Sequence, residues 1–104
     1  MRIVFDQGTP VPLREHLPDH TVRTAYEQGW ASLHNGDLLA RAEQEFDLLI
    51  TTDRNLKYQQ NLDNRRIAIL VLWTTSWPKL RLHGARIAAA VNGMQRGEYL
   101  ELGE

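Results

Sequence analysis

Cysteine is absent from this chain of 104 residues. Its absence excludes a disulfide, a zinc site built on thiolates and a cysteine nucleophile, and it fits a reducing compartment. Long apolar runs are also missing. No segment approaches the ~18 apolar residues of a membrane span, and the run after Met1 is too short for a signal peptide. The sequence therefore predicts a soluble, cytoplasmic protein with no membrane association.

A strong excess of one charge is missing too, since the formal net charge is −1 at pH 7. This value argues against a protein that binds nucleic acid through charge alone. It leaves room for a nuclease in which a metal and a few arginines supply the positive field. Ten of the twelve basic residues are arginine, which matches phosphate geometry better than lysine does. Codon bias in a GC-rich genome is the simpler explanation of that preference.

Several familiar catalytic motifs are not found. There is no Walker loop, no GxGxxG and no GxSxG, and the histidines show no metal-ligand spacing. The tryptophans are suited to stacking on bases, but packing in the core is the simpler interpretation. These residues are His16, His20, His34 and His83, and Trp30, Trp73 and Trp77.

Short apolar runs alternate with helical patterns along the chain. The runs predict strands at 2–5, 21–25, 48–52 and 67–72, with a further edge strand at 99–102. Helices are predicted at 9–17, 37–46 and 79–95, the first with Thr9 as its N-cap and the last with Gly97 as its stop, and 55–61 is a polar helix or turn. This order predicts one α/β domain over residues 1–104, with a central parallel sheet flanked by helices in three layers.

Two aspartates stand directly after predicted strands. Asp6 follows the first strand, and Asp53 follows the strand that contains Leu48 and Ile50. The carboxyl ends of parallel strands meet at one edge of the sheet, where ligands bind in such folds. Two carboxylates repel each other there unless a cation lies between them, so the pattern indicates a hard-metal site and phosphodiester chemistry. The alternative for each aspartate is a turn-capping side chain.

Three further residues are candidates for the same site. Asp37 lies in the first turn of a predicted helix, where the helix dipole or an ion pair with Arg41 explains a carboxylate equally well. Arg54 and Asn55 follow Asp53, and a guanidinium there suits a scissile phosphate. An exposed turn is their alternative interpretation. Other acids of the Asp37 helix, Glu43 among them, are read as solvated surface charge.

Several stretches together resemble a known family, over nearly the whole chain. They are Ile3-Val4-Phe5-Asp6, Gly29-Trp30, Asn35-Gly36-Asp37-Leu38-Leu39, the run from Phe46 to Leu62, and Thr75-Ser76-Trp77-Pro78. Together these motifs are similar to those of PIN-like domains assigned as nuclease toxins of bacterial toxin–antitoxin systems. The resemblance implies a PIN-like fold and a metal-dependent endoribonuclease with an antitoxin protein as partner. Such toxins often act as homodimers.

The resemblance also implies an acidic set of Asp6, Asp37 and Asp53 that holds Mg²⁺ or Mn²⁺. By this reading Arg54 neutralises charge on the phosphate and Asn55 orients a water molecule. One departure is visible, because PIN domains often place a fourth acid where this chain has Asn55.

That departure keeps an alternative function open, namely a catalytically silent PIN-like module that binds protein or RNA. A receiver-like or phosphatase domain is a weaker rival. It needs paired acids after the first strand, where this chain has Asp6-Gln7-Gly8, and a receiver also needs a lysine after its last strand.

Overall fold

A five-stranded sheet forms the centre of the computed structural model, which describes residues 1–63 and 65–104. All strand pairs are parallel, and their order across the sheet is β2-β1-β3-β4-β5. The predicted α/β class with a central parallel sheet is therefore confirmed. The strands are β1 (Arg2–Phe5), β2 (Thr21–Thr24), β3 (Leu48–Thr51), β4 (Ala68–Val71) and β5 (Tyr99–Glu101).

Helices cover both faces of this sheet. On one face a 3-10 helix (Val11–His16) packs with α3 (Trp77–Leu80) and α4 (Gly84–Gly93), around Phe5, Ile50 and Leu70. On the other face α1 (Asn35–Glu45) and α2 (Leu56–Gln59) pack over the alternate strand residues, such as Val4 and Leu49. Every residue of β3 and β4 is buried. Strands covered on both faces read as continuous apolar runs, which explains why the sequence pattern identified them.

The strand order creates a crevice between the carboxyl ends of β1 and β3. The chain leaves β1 towards β2 on one side, and it re-enters the sheet at β3 on the other side of β1. In doubly wound sheets such a switch point is where ligands bind. The register pairs Phe5 with Ile50, so the next residues, Asp6 and Thr51, lie side by side at the carboxyl edge of the sheet.

The single helix predicted over residues 79–95 is wrong. The chain instead forms α3, a 3-10 turn (Arg81–His83) and α4. The break falls at Gly84, where an added Cβ would collide with the His16 ring. Glycine allows this close approach and has low helix propensity, so the contact between the two helical segments and the change of helix occur together.

Two other local predictions are also wrong. The helix at 9–17 is a shorter 3-10 helix, and the hydroxyl of Thr9 bonds to Asp6 and to the Ile50 carbonyl instead of capping it. Gly97 does not stop the last helix, which ends at Gly93. Gly97 lies in the turn into β5 with φ of 78°, a left-handed conformation that favours glycine.

The remaining element boundaries differ from the predicted ones by three residues or fewer. Within the described part of the chain, no helix is both long enough and apolar enough to cross a membrane.

Candidate functional site

Asp6 lies at the base of the crevice and is only 7% exposed. Its Oδ1 accepts hydrogen bonds from the Gly8 N–H at 3.2 Å and from the Thr9 hydroxyl at 2.7 Å. Its Oδ2 accepts a hydrogen bond from the Thr51 hydroxyl. The bond from Gly8 closes the Asx-type turn expected of a turn-capping aspartate. The bond from Thr51 crosses from β3 and therefore ties the two strand ends together.

Burial and hydrogen bonding act in opposite directions on Asp6. Burial is the larger effect and raises the pKa of this carboxyl from its ordinary value of 3.8, because the charged form loses its hydration. The hydrogen bonds from Thr51, Thr9 and Gly8 stabilise the carboxylate and oppose that rise. A cation in the crevice would favour the charged form further.

Thr51 connects the two aspartates that the sequence singled out. While its hydroxyl donates to Asp6, its Oγ1 accepts the backbone N–H of Asp53 at 3.1 Å. This arrangement follows from the parallel register, since Thr51 is the last residue of β3 and Asp53 lies two residues beyond it. The structure therefore brings Asp6 and Asp53 to the same edge, as the sequence predicted.

The carboxylate of Asp53 is half-buried, and both of its oxygens accept hydrogen bonds. Oδ1 accepts the backbone N–H of Asn55 at 2.9 Å, which closes a second Asx turn. Oδ2 accepts the side-chain amide of Asn35. Asn35 begins α1, so this contact connects the helix that carries Asp37 to the end of β3.

Two residues after β1 draw the surrounding loops together. The Gln7 amide lies within hydrogen-bond distance of three carbonyls in the loop before α1, those of Trp30, Ala31 and Leu33, at 3.3, 2.9 and 3.3 Å. A Cβ added to Gly8 would lie 2.6 Å from the Thr52 hydroxyl. Gly8 therefore allows the loops after β1 and β3 to meet above Asp6.

Among the described residues, no hydrogen bond links Asp37 to the chain of contacts formed by Asp6, Thr51 and Asp53. Its side chain is exposed and lines a depression on the outer surface of α1 with Arg41 and Glu45. Neither a hydrogen bond nor an ion pair between Asp37 and Arg41 occurs among the described residues. At this end of α1 the residue that reaches the crevice is Asn35, two positions earlier.

Arg54 and Asn55 lie beside the crevice with exposed side chains. The Arg54 guanidinium donates to the Trp73 carbonyl at 2.9 Å and lines a cavity of about 290 Å³ between the ends of β4 and β5. It thus faces the β4 side of Asp53. Asn55 contributes its backbone N–H to Asp53, and its side chain makes no hydrogen bond to any described residue.

The carboxylate oxygens at the crevice are of the type that binds Mg²⁺, in a site with few protein ligands. Mg²⁺ is often held by one or two carboxylates with water in its remaining positions, and Asp6 and Asp53 supply two. Throughout residues 1–63 and 65–104, no three His, Asp or Glu side chains form a group that could hold a metal. Asp6 and Asp53, with Asn35 as an amide neighbour, are the residues that could hold a cation here, with water in its remaining positions.

The sequence analysis did not identify four of the residues that form this site, namely Asn35, Thr51, Thr9 and Gln7. Thr51 carried a usable signal, because a hydroxyl at the end of an otherwise apolar strand is a polar group next to a predicted acid. Asn35 carried a weaker signal, since it precedes Gly36 in the motif that drew attention to Asp37. Only the folded loops show which of these two side chains faces Asp53.

Comparison with protein families, with curated protein sequences and with solved structures finds no match for this chain. The fold and site define a doubly wound parallel α/β domain with two hydrogen-bonded aspartates at its switch point.

The environment of Glu43 differs from the solvated surface position that the sequence predicted for it. Glu43 is half-buried and forms an ion pair with Arg65 at 3.0 Å, and its other oxygen accepts the backbone N–H of Arg66. This pair connects α1 to the chain before β4, so Glu43 is a structural residue and not a solvated charge.

Proposed function

We propose that this protein is a metal-dependent endoribonuclease, the toxin half of a toxin–antitoxin pair, that works in the cytoplasm. The observation that supports this function most strongly is the Asp6–Thr51–Asp53 hydrogen-bond chain at the β1/β3 switch point. It combines two carboxylates with a position where α/β domains bind their ligands. The sequence resemblance to PIN-like toxins supports the same chemistry and adds an antitoxin protein and a second copy of the chain as partners.

In this proposal Asp6 and Asp53 hold Mg²⁺ or Mn²⁺. The bound ion would polarise the phosphate and lower the pKa of an attacking water molecule. The attacking water would give its OH to the phosphorus as the bond from phosphorus to one ribose oxygen breaks, and the proton that the water loses would end on that ribose oxygen. Asp6 is held rigidly by its three donors, so its position requires no rearrangement when substrate arrives.

The other residues act on the substrate from the rim. The exposed Arg54 guanidinium lies on the β4 side of Asp53 and stabilises the charge that develops on the phosphate. Asn35 and the N–H of Asn55 hold the carboxylate of Asp53 in position. Asp37 has a smaller role than the resemblance implies, because its exposed side chain is directed onto the surface of α1.

The test is cleavage of a labelled structured RNA by the purified protein, with Mg²⁺ or Mn²⁺ and with EDTA. We expect cleavage with the metals and none with EDTA, and we expect an Asp6→Ala/Asp53→Ala variant to be inactive. Because Asp6 is buried, folding of that variant is checked by circular dichroism, and the single Asp53→Asn variant provides a milder change. A folded wild-type protein that cleaves no RNA would contradict the proposal.

A second candidate function is a silent module that binds RNA or protein without hydrolysis. The specific observation in its favour is that all four carboxylate oxygens of Asp6 and Asp53 already accept hydrogen bonds from the chain. Such bonds are also what purely structural Asx turns provide. This candidate predicts that the partner is bound equally well with Mg²⁺ and with EDTA.

The receiver-like alternative retains less support. The strand at 67–72 continues into Leu72-Trp73-Thr74, where a receiver would need its lysine. Binding of beryllofluoride at the crevice would favour this alternative over the nuclease.

A further inference from the structure

Two tyrosines are unusually exposed at the same edge of the sheet as the aspartates. Tyr26 is 82% exposed and follows β2, whereas Tyr58 is 78% exposed and lies in α2, after β3. Because β2 and β3 are the two neighbours of β1, these tyrosines belong to the loops on either side of Asp6.

The ring of Tyr58 is supported from one side. The Lys57 ammonium lies 5.1 Å from the ring centroid, and this ammonium forms an ion pair with Glu101 of β5 at 2.9 Å. A cation over an aromatic face is attracted by the ring's electrons. The contact restricts the position of the ring while most of its surface remains open to solvent. Tyr58 is therefore an exposed ring held on the β5 side of this edge, with β3 and β4 between it and Asp6.

The distribution of exposed apolar side chains favours a nucleic acid over a protein as the occupant. Among the described residues, the exposed large apolar side chains are scattered over five separate segments and do not share one element. A protein partner buries a contiguous, well-packed patch. A nucleic-acid base needs only one ring to stack on, with cations such as Arg54 nearby for its phosphates. The five residues are Met1, Val11, Tyr26, Tyr58 and Leu82.

We propose that Tyr26 and Tyr58 are stacking platforms for two bases of a single-stranded RNA that crosses the carboxyl edge of the sheet. The inference rests on the proposed function in one respect, namely that the phosphate between the two stacked regions lies at Asp6 and Asp53. Stacking on flat rings is tolerant of base identity, so these contacts select unpaired RNA and do not discriminate between base sequences. Paired bases are already stacked on one another and cannot use either platform.

The experiment is a fluorescence-anisotropy titration of a short labelled single-stranded RNA in EDTA, so that binding is measured without cleavage. We expect Tyr58→Ala and Tyr26→Ala each to weaken binding by roughly 5- to 150-fold, the range of base–aromatic stacking. Tyr58→Phe keeps the ring and should bind within about twofold of wild type. Leu82→Ala removes a comparably exposed apolar side chain, 74% exposed on the opposite layer, and should change nothing.

Two further probes separate stacking from charge. An abasic strand of the same length should bind wild type and Tyr58→Ala equally weakly, and duplex RNA should show no dependence on either tyrosine. Thermal unfolding of each variant verifies that the exposed substitutions leave the fold intact. These results would support the platforms even if the wild-type protein then failed to cleave RNA with Mg²⁺, an outcome that would remove only the proposed hydrolysis.

The inference is overturned if wild type binds no single-stranded RNA, or if both alanine variants bind it as Leu82→Ala does. In a second arm, the protein encoded by an adjacent reading frame is titrated against the same variants. Loss of that binding with unchanged RNA affinity would mean that the tyrosines contact a protein, and it would equally overturn the inference. RNA cleavage with unchanged KM in both alanine variants would refute the platforms while leaving the nuclease intact.

Discussion

Replacing Thr51 with valine tests the hydrogen-bond chain that joins Asp6 to Asp53. Valine has nearly the same shape as threonine, and the side chain is buried with 1% exposure, so the change removes a hydroxyl without opening a cavity. Two bonds are lost, the one donated to Asp6 Oδ2 and the one accepted from the Asp53 N–H. The loss leaves Asp6 Oδ2 without this donor and the Asp53 N–H without this acceptor.

The expected loss of stability depends on pH. Leaving buried partners unsatisfied costs roughly 2–3 kcal/mol at neutral pH, where one of them is a carboxylate. The folded-state pKa of Asp6 is raised above 3.8, so the folded protein holds this proton more tightly than the unfolded chain does. The stability that this proton contributes is fully present below pH 3.8 and is lost as pH rises through the raised value. Removing the Thr51 hydroxyl raises the pKa of Asp6 further, so the loss of stability continues to higher pH and is larger in the variant.

The assay is urea unfolding of wild type, Thr51→Val and Thr51→Ser at about pH 4 and about pH 7. Serine retains the hydroxyl and loses one methyl group, so it should cost about 1 kcal/mol at both pH values. Valine should cost clearly more at neutral pH than at acid pH. A Thr51→Val cost that equals the serine cost, or that grows towards acid pH, would refute the reasoning.

Three further variants test packing elsewhere in the fold. Gly97→Ala should lower stability by about 2–3 kcal/mol in thermal unfolding, because φ is 78° and the new Cβ would lie 2.8 Å from the Arg65 carbonyl oxygen; an unchanged Tm would contradict that geometry. Gly84→Ala should cost about 1–3 kcal/mol through collision with His16, and in a double-mutant cycle His16→Ala should remove part of that cost. Strict additivity would count against the contact. Glu43→Gln should cost about 1 kcal/mol in low salt and less in high salt, since its ion pair with Arg65 is half-buried, whereas a cost unaffected by salt would argue against the ion pair.

The sheet and its two aspartates could be predicted because they depend on local patterns. Strands buried on both faces appear as continuous apolar runs, as in β3 and β4. Parallel strands then deliver whatever follows them to one edge, which is why Asp6 and Asp53 meet. The strand order could not be read from these patterns, because they do not specify which strands are neighbours.

The loops and the helix break depended on contacts between segments distant in the chain. Asn35 contacts Asp53 at the start of α1, and the loop before that helix is bound by the Gln7 amide from beyond β1. The break of the last helix depends on the His16 ring against Gly84, a contact that no local pattern encodes. In both cases tertiary packing overrides a reasonable local preference.

The measurement that tests the central claim most directly is the rate of single-turnover RNA cleavage by Asp53→Asn and Asp37→Asn in Mg²⁺. The account places the reaction at Asp6 and Asp53 and leaves Asp37 on the outer surface of α1. It predicts that Asp53→Asn loses at least about a hundredfold in rate, because a metal contributes several kcal/mol to phosphate chemistry. It also predicts that Asp37→Asn remains close to wild type. Cleavage by Asp53→Asn at the wild-type rate would contradict the account.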